Sequence, residues 1–235
     1  MNYPLTIVSG FWFIENKHGN KFLNWFQNTL MIQCPYIFFG SKEAIDLVKK
    51  YRDSLSVPTV YIECNIEEFY TFQYREKMIT DPIHCPSVEL NLIWNEKIFF
   101  IEKASQMNPF QSEYFSWVDA GICNFRNRPP PNKLFPDMNK LIKLPKDKFI
   151  FTSTIPLFNT QTLHLPNYHY VSGTYILHKS IIPTMIELYK KKIDQILSTD
   201  KVYTDQIVLT HILVDNPDLF YNLGNGYGLI IDLLY

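Results

Sequence analysis

Apolar residues in the first half of the chain recur with two alternating periods. Residues 5–13, LTIVSGFWF, are β-branched and aromatic and predict a first strand. Residues 20–32, NKFLNWFQNTLMI, place Phe22, Phe26 and Leu30 on one face at a helical spacing. Residues 35–40, PYIFFG, predict a short buried strand closed by Gly40. Ser41 then stands where an N-cap belongs, ahead of a helix that buries Ala44, Ile45 and Val48. Residues 59–64 alternate as a strand, 66–78 read as a helix, and 86–110 read as a long helix stopped at Asn108-Pro109. The run EYFSWVD, residues 113–119, predicts a strand that delivers Asp119 at its carboxyl end.

The second half is less regular. RNRPPPNK, residues 126–133, is a stiff basic loop, because proline locks φ; a plain connection and a substrate lid both fit it. Residues 148–154 predict a strand, and 165–180 another, interrupted at Ser172-Gly173 where a ligand or a second backbone would come close. Residues 180–197 and 202–216 predict two helices, and 218–235 an antiparallel edge or a packed tail. Strands alternating with helices imply a mostly parallel central sheet with helices on both faces, a Rossmann-like α/β fold. No repeat, low-complexity tract or linker divides the chain, so one domain over residues 1–235 is expected. In such sheets ligands bind beyond the carboxyl ends of the strands, near a switch in strand order. That rule singles out Asp119 and the turn around Ser9, Gly10 and Phe11.

Composition narrows the partners. The 235 residues are 46% hydrophobic and 16% aromatic, ample for a full core. A formal net charge of -1 gives no long-range attraction for nucleic acid or an anionic membrane, so an anionic ligand must be held by local groups. Cys34, Cys64, Cys85 and Cys123 lie far apart, without C-x-x-C or zinc spacing, and read as free thiols in a reducing compartment. No apolar run reaches membrane-spanning length and the first residues lack a signal-peptide pattern, so a cytoplasmic protein is expected. There is no P-loop, no G-x-S-x-G elbow and no H-E-x-x-H; GNGYG, residues 224–228, reads as a turn.

Four polar features remain. Asp119 follows an aromatic strand, and a buried acid there needs a partner: a metal, a sugar hydroxyl, an Arg or backbone N–H groups. Asp205-Gln206 occupy a first helical turn behind Thr204, where an acid also suits the helix dipole without further purpose. Lys97 lies mid-helix among aromatics, the position of a functional cation or of a lysine snorkelling to solvent. Ser172, Gly173 and Thr174 share one strand.

Five segments in order, TIVSGFWFI, IWNEKIFFIEKASQMNPF, FSWVDAGI, VSGTYILHK and YTDQIVLTHILVDNPDLF, carry a resemblance to the HtrL/YibB-like proteins, regarded as glycosyltransferases. The resemblance spans roughly residues 5 to 222. It implies a GT-A-type fold that moves a hexose from a nucleoside-diphosphate sugar, a UDP-sugar above all, to a hydroxyl on a glycan, a protein or a small molecule. It implies that the stretch from Thr6 through Val8 and Ser9 to Phe11 holds the nucleoside. Asp119 matches the first acid of a D-x-D motif that binds ribose and a divalent metal, Mn²⁺ or Mg²⁺, with Ala120 and Gly121 completing the segment. Lys97 would add positive charge at the phosphates, and Ser172 and Gly173 would let the sugar lie close to the backbone. Asp205 and Gln206 match a later catalytic pair that binds sugar hydroxyls, or supplies a general base. The sequence departs from the motif at Gly121, where the second acid should stand, so a two-carboxylate metal clamp is absent from this segment. Two alternatives stay open: a nucleotide-sugar-binding module without turnover, and a metal-dependent phosphohydrolase built on Asp119.

Overall fold

Continuous apolar runs build the centre of the molecule. In the computed structural model, which describes residues 3–16, 18–19, 21–155, 169–202 and 204–235, strand β1 (Leu5–Phe11) is buried along nearly its whole length. It lies between β2 (Tyr36–Gly40) and β4 (Tyr114–Trp117) and is parallel to both. Helix α1 (Lys21–Leu30) leads from β1 to β2, and α2 (Lys42–Arg52) leads on to β3 (Thr59–Glu63), which pairs parallel with β2. Ser41 caps α2 by accepting a hydrogen bond from the Ala44 amide.

The seven strands run in the order β3-β2-β1-β4-β6-β5-β7. Strand β6 (Val171–His178) is antiparallel to both β4 and β5 (Phe149–Ser153), and the edge strand β7 (Phe220–Asn225) is parallel to β5. The chain leaves β1 for β2 on one side and returns through β4 on the other. That is the switch in strand order at which the carboxyl ends of two neighbouring strands splay apart.

Successive residues of β1 serve opposite faces. Val8 joins one core with Phe39, Trp117, Tyr175 and the inner sides of three helices. Those helices are α3 (Val88–Met107), α5 (Ile182–Thr199) and α6 (Asp205–Asp215). Ile7 joins the other core with Phe26, Phe38, Val48 and Ile231. Helix α3 starts at Ser87, whose hydroxyl accepts from the Leu90 amide, and ends where Asn108 takes the left-handed conformation before Pro109. It is buried on several sides, because the sheet, α5 and α6 all pack on it.

The structure departs from the pattern in places. Residues 66–78 form two 3-10 segments, Ile66–Glu68 and Tyr70–Lys77, instead of one helix. The cause is tertiary: the buried Glu96 carboxylate of α3 accepts from the Tyr70 and Thr71 amides and from the Thr71 hydroxyl. Of the two readings of the tail, the packed one holds and the antiparallel edge does not, since β7 runs parallel to β5. The tail continues from β7 into a packed helix, α7 (Leu229–Leu234), whose Ile230 and Ile231 are fully buried. A short helix not anticipated from the pattern, α4 (Met138–Leu141), is capped by Asp137. The early part of the strand expected over 165–180 lies outside the described residues, and β6 proper begins at Val171. Residues 126–133 form neither helix nor strand. Among the described residues no helix is long and apolar enough to cross a membrane.

Candidate active site

A cavity of about 470 Å³ opens at the carboxyl ends of β1 and β4, between α3 and the start of α6. Its lining includes Phe11, Trp94, Lys97, Asp119, Arg126 and Asp205.

Lys97 organises the floor. The middle of a helix packed on a sheet gives it no route to water, and only 3% of the residue is exposed. Its ammonium lies 3.0 Å from Asp119 Oδ1 and 3.4 Å from Asp205 Oδ2, and 5.9 Å from the centre of the Trp117 ring. Burial by itself would lower the Lys97 pKa, but Asp119 and Asp205 more than offset that and hold it above its ordinary value. Lys97 is therefore a fixed positive charge at neutral pH.

The two acids differ. Asp119 is 44% exposed along its side chain, and its Oδ1 also accepts from the Trp117 indole N–H at 2.8 Å. Its partners are thus an indole two residues earlier and a lysine from another element. Asp205 is only 2% exposed. Burial pushes its pKa up to about 6, against the attraction of Lys97. Thr204 caps α6 by accepting from the Gln206 amide and contacts Asp205 Oδ1 at 3.4 Å. Asp205 Oδ2 has the ion-pair contact with Lys97 but no aligned hydrogen-bond donor. Gln206 is held by its amide, which donates to Val171 O at 3.0 Å and meets the Tyr227 hydroxyl at 3.4 Å.

Glycine leaves room where these groups meet. A Cβ on Gly173 would stand 3.0 Å from Lys97 Nζ and 3.6 Å from Asp119 Oδ2, so the close approach at Ser172-Gly173 is made by the protein's own ion pair. A Cβ on Gly121 would stand 2.6 Å from the Phe22 ring.

The structure brings Phe11, Lys97, Asp119, Ala120, Gly121, Gly173, Asp205 and Gln206 to one cavity. It does not bring Thr6, Val8, Ser9 or Ser172 there. Thr6 Oγ1 pairs with Ser112 Oγ at 2.8 Å, and Ser9 Oγ donates to Val118 O at 2.7 Å. Val8 is fully buried in the core, and Ser172 Oγ donates to Thr174 O at 3.1 Å. Their side chains are taken up by hydrogen bonds and packing inside the protein, and only the last residues of β1 emerge at the cavity. Trp94, Arg126 and Tyr227 line it without having been singled out. The signals for two of them were visible, in the first residue of the basic RNRPPPNK loop and in the aromatic of the GNGYG turn.

The donor set fits a divalent cation poorly. Asp119 Oδ1 already holds an ammonium and an indole N–H. The Phe22 ring covers the place where a second D-x-D acid would project from residue 121. No group of three His, Cys, Asp or Glu side chains with metal-binding geometry occurs among the described residues. What the site offers is a tethered cation between two carboxylates, one wet and one dry.

Comparison with known proteins agrees with this architecture. The crystal structure of mouse xyloside xylosyltransferase 1 in its apo form superposes with a TM-score of 0.56 at 12% identity, covering 95% of this chain and 85% of that one. The likeness shows a glycosyltransferase-type α/β fold. No curated protein matches the chain in sequence. The family described as bacterial protein of unknown function (HtrL_YibB) matches residues 59–233, most of the sequence and all of the Lys97, Asp119 and Asp205 constellation. The chain belongs to the HtrL_YibB family.

Proposed function

We propose that the protein is a glycosyltransferase that moves a hexose from a nucleoside-diphosphate sugar, with UDP as the favoured nucleotide, to a hydroxyl acceptor. One observation carries this reading. The cavity lies at the switch point of a glycosyltransferase-type sheet, and its floor is the Asp119–Lys97–Asp205 cluster.

The chemistry asked of the site is a displacement at the anomeric carbon. The bond from that carbon to the diphosphate oxygen breaks, and its electron pair leaves with the diphosphate. The acceptor oxygen forms the new bond and gives up its proton. Asp205 is suited to receive that proton. Its Oδ2 faces no aligned donor, and burial brings its pKa to about 6, close to the range where a carboxylate is both ionised and basic. Asp119, half open to solvent and fixed by Trp117, is suited to a sugar or ribose hydroxyl. Gln206 orients the start of α6 through Val171.

A binding module without turnover uses the same cavity, and catalysis separates the two. The test combines a thermal-shift screen of nucleoside diphosphates and their sugars with an assay of donor hydrolysis. A ligand at 100 times its Kd should add about 2.7 kcal/mol of stability. Stabilisation together with release of free sugar supports the transferase. Stabilisation without release, across the donors and with acceptor sugars added, favours the binding module. No stabilisation by any nucleotide removes both.

A further inference from the structure

Charge counting leaves the floor of the cavity short of cations. With both acids ionised, Lys97, Asp119 and Asp205 sum to one negative charge. A departing diphosphate would add more of the same sign, and in a cavity partly closed to water that repulsion is not screened away. A second cation has to face the ligand.

Arg126 meets that need. It follows the short turn Cys123–Phe125 that β4 feeds after Asp119, and it lines the same cavity. Its guanidinium carbon sits 4.1 Å from the centre of the Trp25 ring of α1. Its Nε is buried and has no hydrogen-bond acceptor, and among the described residues no carboxylate pairs with it. Two residues on, Arg128 does the opposite: it pairs with Asp232 at 3.2 Å and is spent on fastening the C-terminal helix. One arginine of the basic loop is thus paired with an acid, and the other rests over an aromatic ring at the cavity wall with no carboxylate partner among the described residues. A guanidinium stacked on one face keeps its in-plane N–H groups directed outward, and that fork matches phosphate oxygens.

We propose that Arg126 is the phosphate-binding residue of the cavity, gripping the diphosphate of the donor and stabilising it as it leaves. The assignment rests on the nucleotide-sugar reading above and adds to it the group that carries the leaving charge. Trp25 is a positioning residue that fixes the plane of the fork. Lys97 is left to set the charge and geometry of the two acids.

The test is titration calorimetry on the whole chain in chelator-treated buffer. The probes are inorganic pyrophosphate, and UDP, GDP and ADP, each beside its nucleoside. Arg126→Ala should weaken pyrophosphate and the preferred diphosphate by at least about tenfold, which is roughly 1.4 kcal/mol, and leave the nucleoside unchanged. Arg126→Lys, which keeps the charge and loses the fork, should fall between. Equal loss for nucleoside and diphosphate would mean that Arg126 only props Trp25, and the assignment fails. Unchanged diphosphate binding in Arg126→Ala also overturns it, while the transferase reading survives. If the wild-type chain binds no diphosphate at all, both readings fall. Should Arg126→Ala fold poorly, the Lys variant and the salt dependence of wild-type pyrophosphate binding decide. Affinity that does not weaken with salt excludes a cationic grip.

Discussion

Replacing Lys97 by Met keeps the length of the side chain and removes its charge. The consequence depends on pH in a way the structure sets. The Asp205 carboxyl has a folded-state pKa of about 6, raised by burial from an ordinary value of 3.8. Keeping it ionised in the fold therefore costs about 3 kcal/mol above pH 6, at ~1.4 kcal/mol per pH unit. Without Lys97 the carboxyl has no countercharge in its dry position and takes a proton instead. Protonation at pH 7 costs about 4 kcal/mol relative to the unfolded chain, so the extra loss through this acid is about 1 kcal/mol. At pH 8 it grows to about 3 kcal/mol, and at pH 5 it vanishes, because Asp205 is then protonated in both proteins. Separation from the exposed Asp119 adds a smaller term that varies little over this range. Urea unfolding of wild type and Lys97→Met at pH 5, 6, 7 and 8 measures the difference directly. A stability gap of the same size at every pH would refute the reasoning, since a lost packing contact has no reason to titrate with Asp205.

Asp205→Asn should remove a rise in wild-type stability on acidification from about pH 6 to pH 4, where the folded chain takes up the Asp205 proton before the unfolded chain does. Paired urea midpoints across that window read it, and in donor hydrolysis the same variant should lose at least about tenfold, ~1.4 kcal/mol of barrier. Gly173→Ala should push Lys97 from Asp119, given the 3.0 Å approach, and weaken donor binding more than it lowers the melting temperature; an unchanged donor affinity would count against a functional cluster. Trp117→Phe removes the indole N–H that fixes Asp119, at a cost near the low end of the ~1.5–3 kcal/mol range for a hydrogen bond to a charged group because the acid is half exposed. Donor affinity should fall with it, and calorimetry beside chemical denaturation separates the two effects.

Much of the scaffold was legible because its signals are local. Ser41 ahead of an amphipathic stretch is enough to start α2, and the short, largely apolar, β-branched and aromatic runs of β1, β2 and β4 read as strands covered on both faces. The segment at 66–78 was misread because its geometry comes from Glu96, some 25 residues further along the chain. The position of Lys97 was ambiguous for a similar reason. Neighbours in sequence suggest a snorkelling lysine, and only the packing of α3 among sheet, α5 and α6 denies it water. Asp119 was expected to be buried because aromatics precede it; the chain turns after Val118, and the acid emerges half exposed. Arg126 could not be told from Arg128 by type or spacing. Their difference rests on Asp232, which is distant in sequence and claims only one of them.

The ring of Phe22 over Gly121 also bears on how this site can change by mutation. Phe22 stacks on Phe11 with ring centres 5.6 Å apart, so it supports the wall of the cavity as well as closing the space above residue 121. An acid at position 121 requires that ring to move aside or shrink, and either change withdraws support from Phe11 before any new ligand exists to compensate. The step from an ammonium-based site to one with paired carboxylates therefore passes through a weakened intermediate. Descendants of this sequence should keep Phe22 and Gly121 together or replace them together, with single departures rare.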